Sequence, residues 1–174
     1  MKWEKLLMPS GIDREHSRIE GNHAEIVLQP LERGFGLTLG NALRRTLLAA
    51  IQGAAISAVK IEGVRHELSI IPGVTEDVTD IVLNLKSVVF QFDREEPCWI
   101  SLKADSAGEV TAGHIQVPEG VKVVNPDLHI CTLGEGATVS MEMYLVTGRG
   151  YVDREEIDCP DESIGVIRMD ANFS

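Results

Sequence analysis

Leu39, Leu43, Leu47 and Ala50, with Ala42 and Thr46 beside them, recur at the spacing of three and four that one face of a helix requires. The pattern predicts a first helix over Asn41–Ile51, led in by the Gly-rich stretch Gly34-Phe-Gly-Leu-Thr-Leu-Gly40 and stopped at Gly53. A sharper pattern follows between Thr75 and Lys86, where Val78, Ile81, Val82 and Leu85 fall at i, i+3, i+4 and i+7. Thr75 is suited to cap this second helix, Glu76 and Asp77 complement the positive end of its dipole, and Lys86 complements the other end.

The remaining pattern is alternation. Strands are expected at His23–Gln29, which Pro30 ends, and at 54–63 and 64–71, the latter broken by Pro72-Gly73. Further short strands are expected at 88–92, 98–105, 108–113, 121–124, 128–133, 137–147 and 163–170, separated by Gly, Pro, Asp and Asn turns. Two helices among many short strands place the chain in the α+β class, with mostly antiparallel pairing.

The first helix has more than one surface to satisfy. One side is the leucine stripe, and a second carries the small residues Ala42, Ala49 and Ala50 together with Arg45 and Leu48. Gly40 costs about 1 kcal/mol against alanine in a helix, a cost usually accepted where another backbone approaches closely. One face belongs to the helix's own core, and the other is available to a partner.

Composition narrows the classes. The chain has 174 residues, 44% apolar and 25% charged, as a folded domain or two small ones would. Its net charge of −11 is unevenly spread, because residues 1–52 sum to +1 and residues 53–174 to −12. Gripping phosphates over a broad face needs a cationic surface, so direct nucleic-acid binding is disfavoured. Cys98, Cys131 and Cys159 lack C-x-x-C spacing and read as thiols in a reducing compartment. No apolar run approaches the roughly 18 residues of a membrane span, and a cytoplasmic protein is expected.

No catalytic chemistry stands out. Gly34-x-Gly36-x-x-x-Gly40 shares the glycine richness of a dinucleotide-binding loop, but Pro30, Glu32 and Arg33 separate it from the preceding strand, and no βαβ alternation follows. His16, His23, His66, His114 and His129 are scattered without metal-ligand spacing, so neither a metal nor a cofactor is expected. Glu95-Glu96 and Glu155-Glu156 are adjacent acids that point apart, and no nucleophile elbow is present. Asp153–Glu162 holds six acids and one base and reads as a solvated connection.

Three strings carry a resemblance. Leu31-Glu-Arg-Gly-Phe-Gly-Leu-Thr-Leu-Gly-Asn-Ala-Leu-Arg-Arg-Thr-Leu-Leu48, the run Val59 to Lys86 (VKIEGVRHELSIIPGVTEDVTDIVLNLK) and Gly148-Arg-Gly-Tyr-Val152 closely resemble, in that order, the N-terminal region of the bacterial RNA polymerase alpha subunit family. The resemblance implies a non-catalytic subunit of a nucleotidyltransferase complex. In it, two alpha copies pair through helices into a platform on which the beta and beta-prime subunits assemble, and the catalytic magnesium belongs to beta-prime. It also implies a division into residues 1–52, the first half of a dimerisation domain, and residues 53–174, a domain inserted into it.

By the same resemblance, Arg45 and Leu48 look like contacts to beta, and Lys86 like a contact to beta or beta-prime. His66, Glu67 and the turn Arg149-Gly150-Tyr151 are further candidates for that surface. Leu39, Leu43 and Leu47 are the dimer or core stripe. The acids Asp153, Glu155, Glu156, Asp158, Asp161 and Glu162 resemble in position a loop touched by transcription regulators. Family members continue past the equivalent of Ser174 into the rest of the dimerisation domain, so weak dimerisation is expected of this chain. The alternative reading is a stand-alone binding module that competes with full-length alpha for beta.

Overall fold

The structure is a computed structural model that describes residues 7, 9, 11–21, 23–94, 96–157, 159–161 and 163–173, with the side chains of 14–16 outside the description. It divides into two compact units, residues 1–47 and 48–174.

In the first unit, β1 (Ile12–Glu20) and β2 (His23–Leu28) form an antiparallel ribbon with an irregularity between Asp13 and Arg18. Strand β1 escapes a reading by alternation because IDREHSRIE is dominated by charge. Helix α1 (Phe35–Ala49) begins six residues before the expected Asn41. Gly34 takes a left-handed φ of +87°, and the Phe35 N–H donates to the Glu32 carbonyl at 3.0 Å, which turns the chain into the helix early. Two of the lead-in glycines, Gly36 and Gly40, therefore lie inside the helix.

The second unit runs β3 (Gln52–Ile61), α2 (Val78–Lys86), β4 (Phe90–Phe92), β5 (Cys98–Ala104), β6 (Gly108–Thr111), β7 (Ile115–Gln116), β8 (Val121–Val123), β9 (His129–Leu133), β10 (Val139–Arg149), β11 (Tyr151–Val152), β12 (Val166–Arg168) and β13 (Ala171–Asn172). Five strands form one antiparallel sheet in the order β12-β3-β10-β5-β7, and β4-β8, β6-β9 and β11-β13 form two-stranded ribbons. One sheet face supplies Val59, Ile61, Ile100, Leu102, Met141, Met143 and Leu145 to the main core. Across the other, Glu142 stands between Lys60 and Ser101, and Tyr144 between Ala58 and Trp99. The Trp99 and Tyr144 rings lie 5.0 Å apart, tilted by 45°.

Helix α2 closes the core against β3 and β9. Val78, Ile81 and Leu85 are fully buried, and each such side chain contributes about 1.5–3 kcal/mol over its exposed state. Its N-cap is Asp77 rather than Thr75, with the Asp77 carboxylate accepting from the Asp80 N–H at 2.8 Å. Thr75 is engaged elsewhere, its N–H donating to the Thr132 carbonyl.

The expected strand 64–71 does not form. Gly63 turns the chain with φ +79°, Ser69 N–H closes a turn on the His66 carbonyl, and Leu68 and Ile70 project outward with 82% and 77% of their surface exposed. A second small core gathers Val146, Ala171 and Phe173. Gly53 and Gly148 pair across β3 and β10, and Phe173 fills the notch they leave. A Cβ at Gly148 would meet the Phe173 ring at 2.5 Å, and one at Gly53 would meet the Phe173 carbonyl oxygen at 2.1 Å.

Candidate partner-docking surface

The residues nominated from sequence fall into three groups. On α1, Arg45, Leu43, Leu47 and Leu48 are exposed and Leu39 is half-buried; no residue of the helix is buried. The alternation of apolar and small positions builds a helix whose leucines are not consumed by packing. Apart from the helix's own backbone and the neighbouring residues, no heavy atom of the described residues lies within 4 Å of where a Cβ at Gly40 would stand, so none of them makes the close approach that its glycine suggests.

The second group converges along one flank of α2. Thr79, Leu83 and Lys86 follow one another at i, i+4 and i+7 on the side away from the core. Thr79 Oγ1 donates to the Glu67 carbonyl at 3.0 Å, which fastens the loop of His66 and Glu67 to this flank. The His66 ring is held within 3.3 Å of Ser69 Oγ. At the other end, Lys86 Nζ donates to the Asp170 carboxylate, whose charge is close enough to act on the Tyr151 phenol. Hydrogen bonding by Lys86 holds the Asp170 carboxyl below the usual carboxylate range, against an opposing effect of burial. Desolvation, followed by the charges of Asp170 and Asp153, pushes the Tyr151 phenol up.

The turn of Arg149, Gly150 and Tyr151 requires its glycine. Gly150 has φ +64°, and a Cβ there would stand 3.4 Å from the Ala49 Cα at the end of α1. Arg149 is exposed and pairs in register with Gln52. The flank thus unites Glu67, Lys86 and Tyr151 from distant parts of the chain. Three members of it were not anticipated: Leu68, Leu83 and Asp170. The outward apolar side chains of Leu68 and Leu83 carry a signal in hydropathy, but Leu68 lies inside the alternation read as a strand and Leu83 falls off the apolar stripe of Val78, Ile81, Val82 and Leu85. Asp170 carried none, because its partner lies 84 positions away.

The third group, the acidic loop, is tied down rather than freely solvated. Ile157 packs against the small core, Cys159 Sγ donates to the Asp161 carbonyl, and Asp161 accepts from Lys60 Nζ at 3.3 Å and from the Ser163 N–H at 2.8 Å. Hydrogen bonds from Ser163, and then Lys60, hold the Asp161 carboxyl low. Asp153, Glu155 and Glu156 are exposed, with the Asp153 carboxylate accepting from the Glu155 N–H; Asp158 and Glu162 lie outside the described residues. Beside this loop an open groove of about 330 Å³ is lined by Glu67, Arg154, Glu155, Asp161, Ser163 and Arg168.

Among the described residues, no group of three or more His, Cys, Asp or Glu is placed to hold a metal ion. No helix formed by them is long and apolar enough to cross a membrane. The larger cleft, about 660 Å³, mixes Lys60, Arg65 and Lys103 with Glu62 and Glu142 and is open to solvent. None of these features assembles a nucleophile, a base and an oxyanion site. What the surface offers is exposed apolar side chains beside ion-paired polar ones, the composition of a protein contact.

Residues 59–174 match the family model described as the RNA polymerase Rpb3/RpoA insert domain. The chain belongs to this insert-domain family. It is 46% identical over 172 residues to the DNA-directed RNA polymerase subunit alpha of Nitratidesulfovibrio vulgaris, in strains DP4 and Hildenborough, and to that of Desulfovibrio desulfuricans. In each comparison 99% of this chain is covered against 50% of the relative, so the chain spans about half the length of those subunits. The matched insert-domain segment includes the whole α2 flank and the acidic loop, whereas α1 lies before it.

Proposed function

We propose that this chain serves as a non-catalytic assembly subunit of bacterial DNA-directed RNA polymerase in the cytoplasm, pairing with a second alpha copy and offering a platform to the beta and beta-prime subunits. The observation that carries the reading is α1, a helix of 15 residues with no buried member. An isolated amphipathic helix gains most of its stability from covering its apolar face, so this face is built for another polypeptide. The relatives named as alpha subunits of the polymerase supply the identity of that assembly.

In this reading, residues 1–52 are the first half of the dimerisation domain and residues 53–174 the inserted domain. Leu39, Leu43 and Leu47 meet the second copy. Arg45 and Leu48 meet beta, and Arg45 suits such a position because its planar fork pairs bidentately and keeps its charge when covered. The flank of His66, Glu67, Lys86 and Arg149-Gly150-Tyr151 meets a large subunit, and the acids Asp153, Glu155, Glu156 and Asp161 form an outlying surface for regulators.

The test is co-expression with the beta subunit and affinity capture. Arg45→Ala and Leu48→Ser each reduce beta recovery while leaving the thermal unfolding of the chain unchanged. Undiminished recovery by both variants overturns the reading.

A further inference from the structure

Lys86 enters the proposed docking surface as a cation, and a cation facing a partner normally seeks a carboxylate on that partner. In this chain the demand is already met. Lys86 Nζ is bound to Asp170, and the two side chains retain only 30% and 34% of their surface. The third member, Tyr151, stands near the same carboxylate and is 64% exposed. One turn N-terminal of Lys86, Leu83 is exposed over 54% of its surface. Lys86 and Asp170 therefore neutralise each other where sequence alone shows a lone positive charge, and the exposed side chains beside the pair include Leu83 and Tyr151.

From this we propose that Lys86 is a positioning residue acting through Asp170, and that the flank of Leu83, Lys86, Asp170 and Tyr151 takes an apolar segment of the large subunit rather than an acidic one. The inference rests on the reading that this flank is a docking surface, and it fixes the chemistry of what docks there.

The physical reason is the asymmetry of covered ion pairs. Covering a charge that has its partner costs little more than covering an apolar pair of the same shape, whereas covering a charge whose partner has been removed is expensive. Lys86 and Asp170 need each other before the surface can be covered. Neither needs a charge from outside.

The distinguishing experiment is a double-variant cycle on recovery and dissociation of the complex between this chain and the large subunit. Lys86→Met alone and Asp170→Leu alone each strand a charge under the partner, and each weakens the complex by roughly 30-fold or more. The combined Lys86→Met and Asp170→Leu variant strands none and returns to within about fivefold of the unsubstituted chain. Lys86→Arg, which keeps the pair, stays near the starting affinity. Thermal unfolding of every variant without partner separates lost docking from lost folding, and Asp170→Asn replaces Asp170→Leu if the leucine variant is unfolded.

If the double variant remains as weak as Lys86→Met, or if Asp170 can be neutralised without loss, Lys86 contacts a partner carboxylate directly and the inference is wrong. If no single variant weakens the complex, the flank is not a docking surface, and the underlying reading fails together with the inference.

Discussion

His129 stands between two carboxylates, with Nε2 2.8 Å from Glu76 and Nδ1 3.0 Å from Glu109. A neutral imidazole has one N–H and can donate to only one of them, so satisfying both requires the doubly protonated ring. Hydrogen bonding to Glu76 accordingly raises the His129 pKa above its ordinary 6.5. Glu76 is also held by the Thr132 N–H at 2.6 Å and the Thr132 hydroxyl at 3.1 Å. Although burial opposes the shift, these bonds and His129 keep its carboxyl below the ordinary 4.5. The clasp joins the segment leading into α2 to β9 and β6.

The sign of the pH dependence follows from those directions. The contribution of His129 is complete below pH 6.5 and is lost as pH rises through the higher folded value; that of Glu76 is complete above 4.5 and is lost as pH falls through the lower folded value. The clasp is therefore fully formed between about pH 4.5 and 6.5. With more than a third of the imidazole facing water, screening limits it to about 1 kcal/mol. Urea unfolding should show His129→Gln less stable than the unsubstituted chain at pH 6 and indistinguishable at pH 9. An equal gap at both pH values would mean that the imidazolium is not what holds the segment.

The notch between Gly53 and Gly148 separates two kinds of collision. Gly148→Ala places a methyl against the Phe173 ring and should cost about 1–3 kcal/mol by overpacking. Phe173→Leu, introduced on top of it, should return part of that loss. Gly53→Ala meets a backbone oxygen instead, so the same second substitution should return nothing. Thermal denaturation of the four variants decides, and equal rescue of both glycine variants would contradict the geometry.

Leu83 and Leu85 are two residues apart on α2 and have opposite fates. Leu85→Ala removes a fully buried side chain and should cost about 2–5 kcal/mol. Leu83→Ala truncates an exposed one and should change stability by no more than about 0.5 kcal/mol. Chemical denaturation of the chain alone measures both. A large loss from Leu83→Ala would place that side chain in the core and remove it from the docking flank.

Cys131 is buried, and burial followed by the nearby Glu76 charge pushes its thiol up to about 11. Since the thiolate is the reactive form, Cys131 should resist alkylation at pH 8 in the native chain and react once urea is added. Mass spectrometry after iodoacetamide treatment reads this directly, and rapid native labelling at Cys131 would refute its placement.

The clearest parts of the fold to read from sequence were those in which spacing and chemistry agree. Val78, Ile81 and Leu85 face the core as their spacing requires, and β9 and β10 lie where alternation places them. The N-cap was displaced because Thr75 and Asp77 are both competent, and what decides between them is the Thr132 carbonyl that takes the Thr75 N–H. The stretch 64–71 alternates like a strand, yet among the described residues no strand pairs with it, and its outward leucine and isoleucine are exposed. Strand β1 shows the reverse, a charged sequence held extended by pairing with β2.

For the candidate surface, the individual residues were legible but their connections were not. Nothing in the local sequence links Lys86 to Asp170, or Lys60 to Asp161 across 101 positions. The acidic loop consequently reads as free when its isoleucine and one aspartate are anchored. The exposed leucines of α1 were visible as a stripe, but only the structure shows that so few of them find cover.

The meeting of Gly53 with Phe173 bears on how freely this corner can drift in sequence. With the Phe173 carbonyl oxygen 2.1 Å from where a Gly53 Cβ would stand, the space is taken by main chain, which no exchange of side chains can vacate. Position 53 is thus locked to glycine by the backbone, whereas position 148 is open to any change that accompanies a smaller residue at 173.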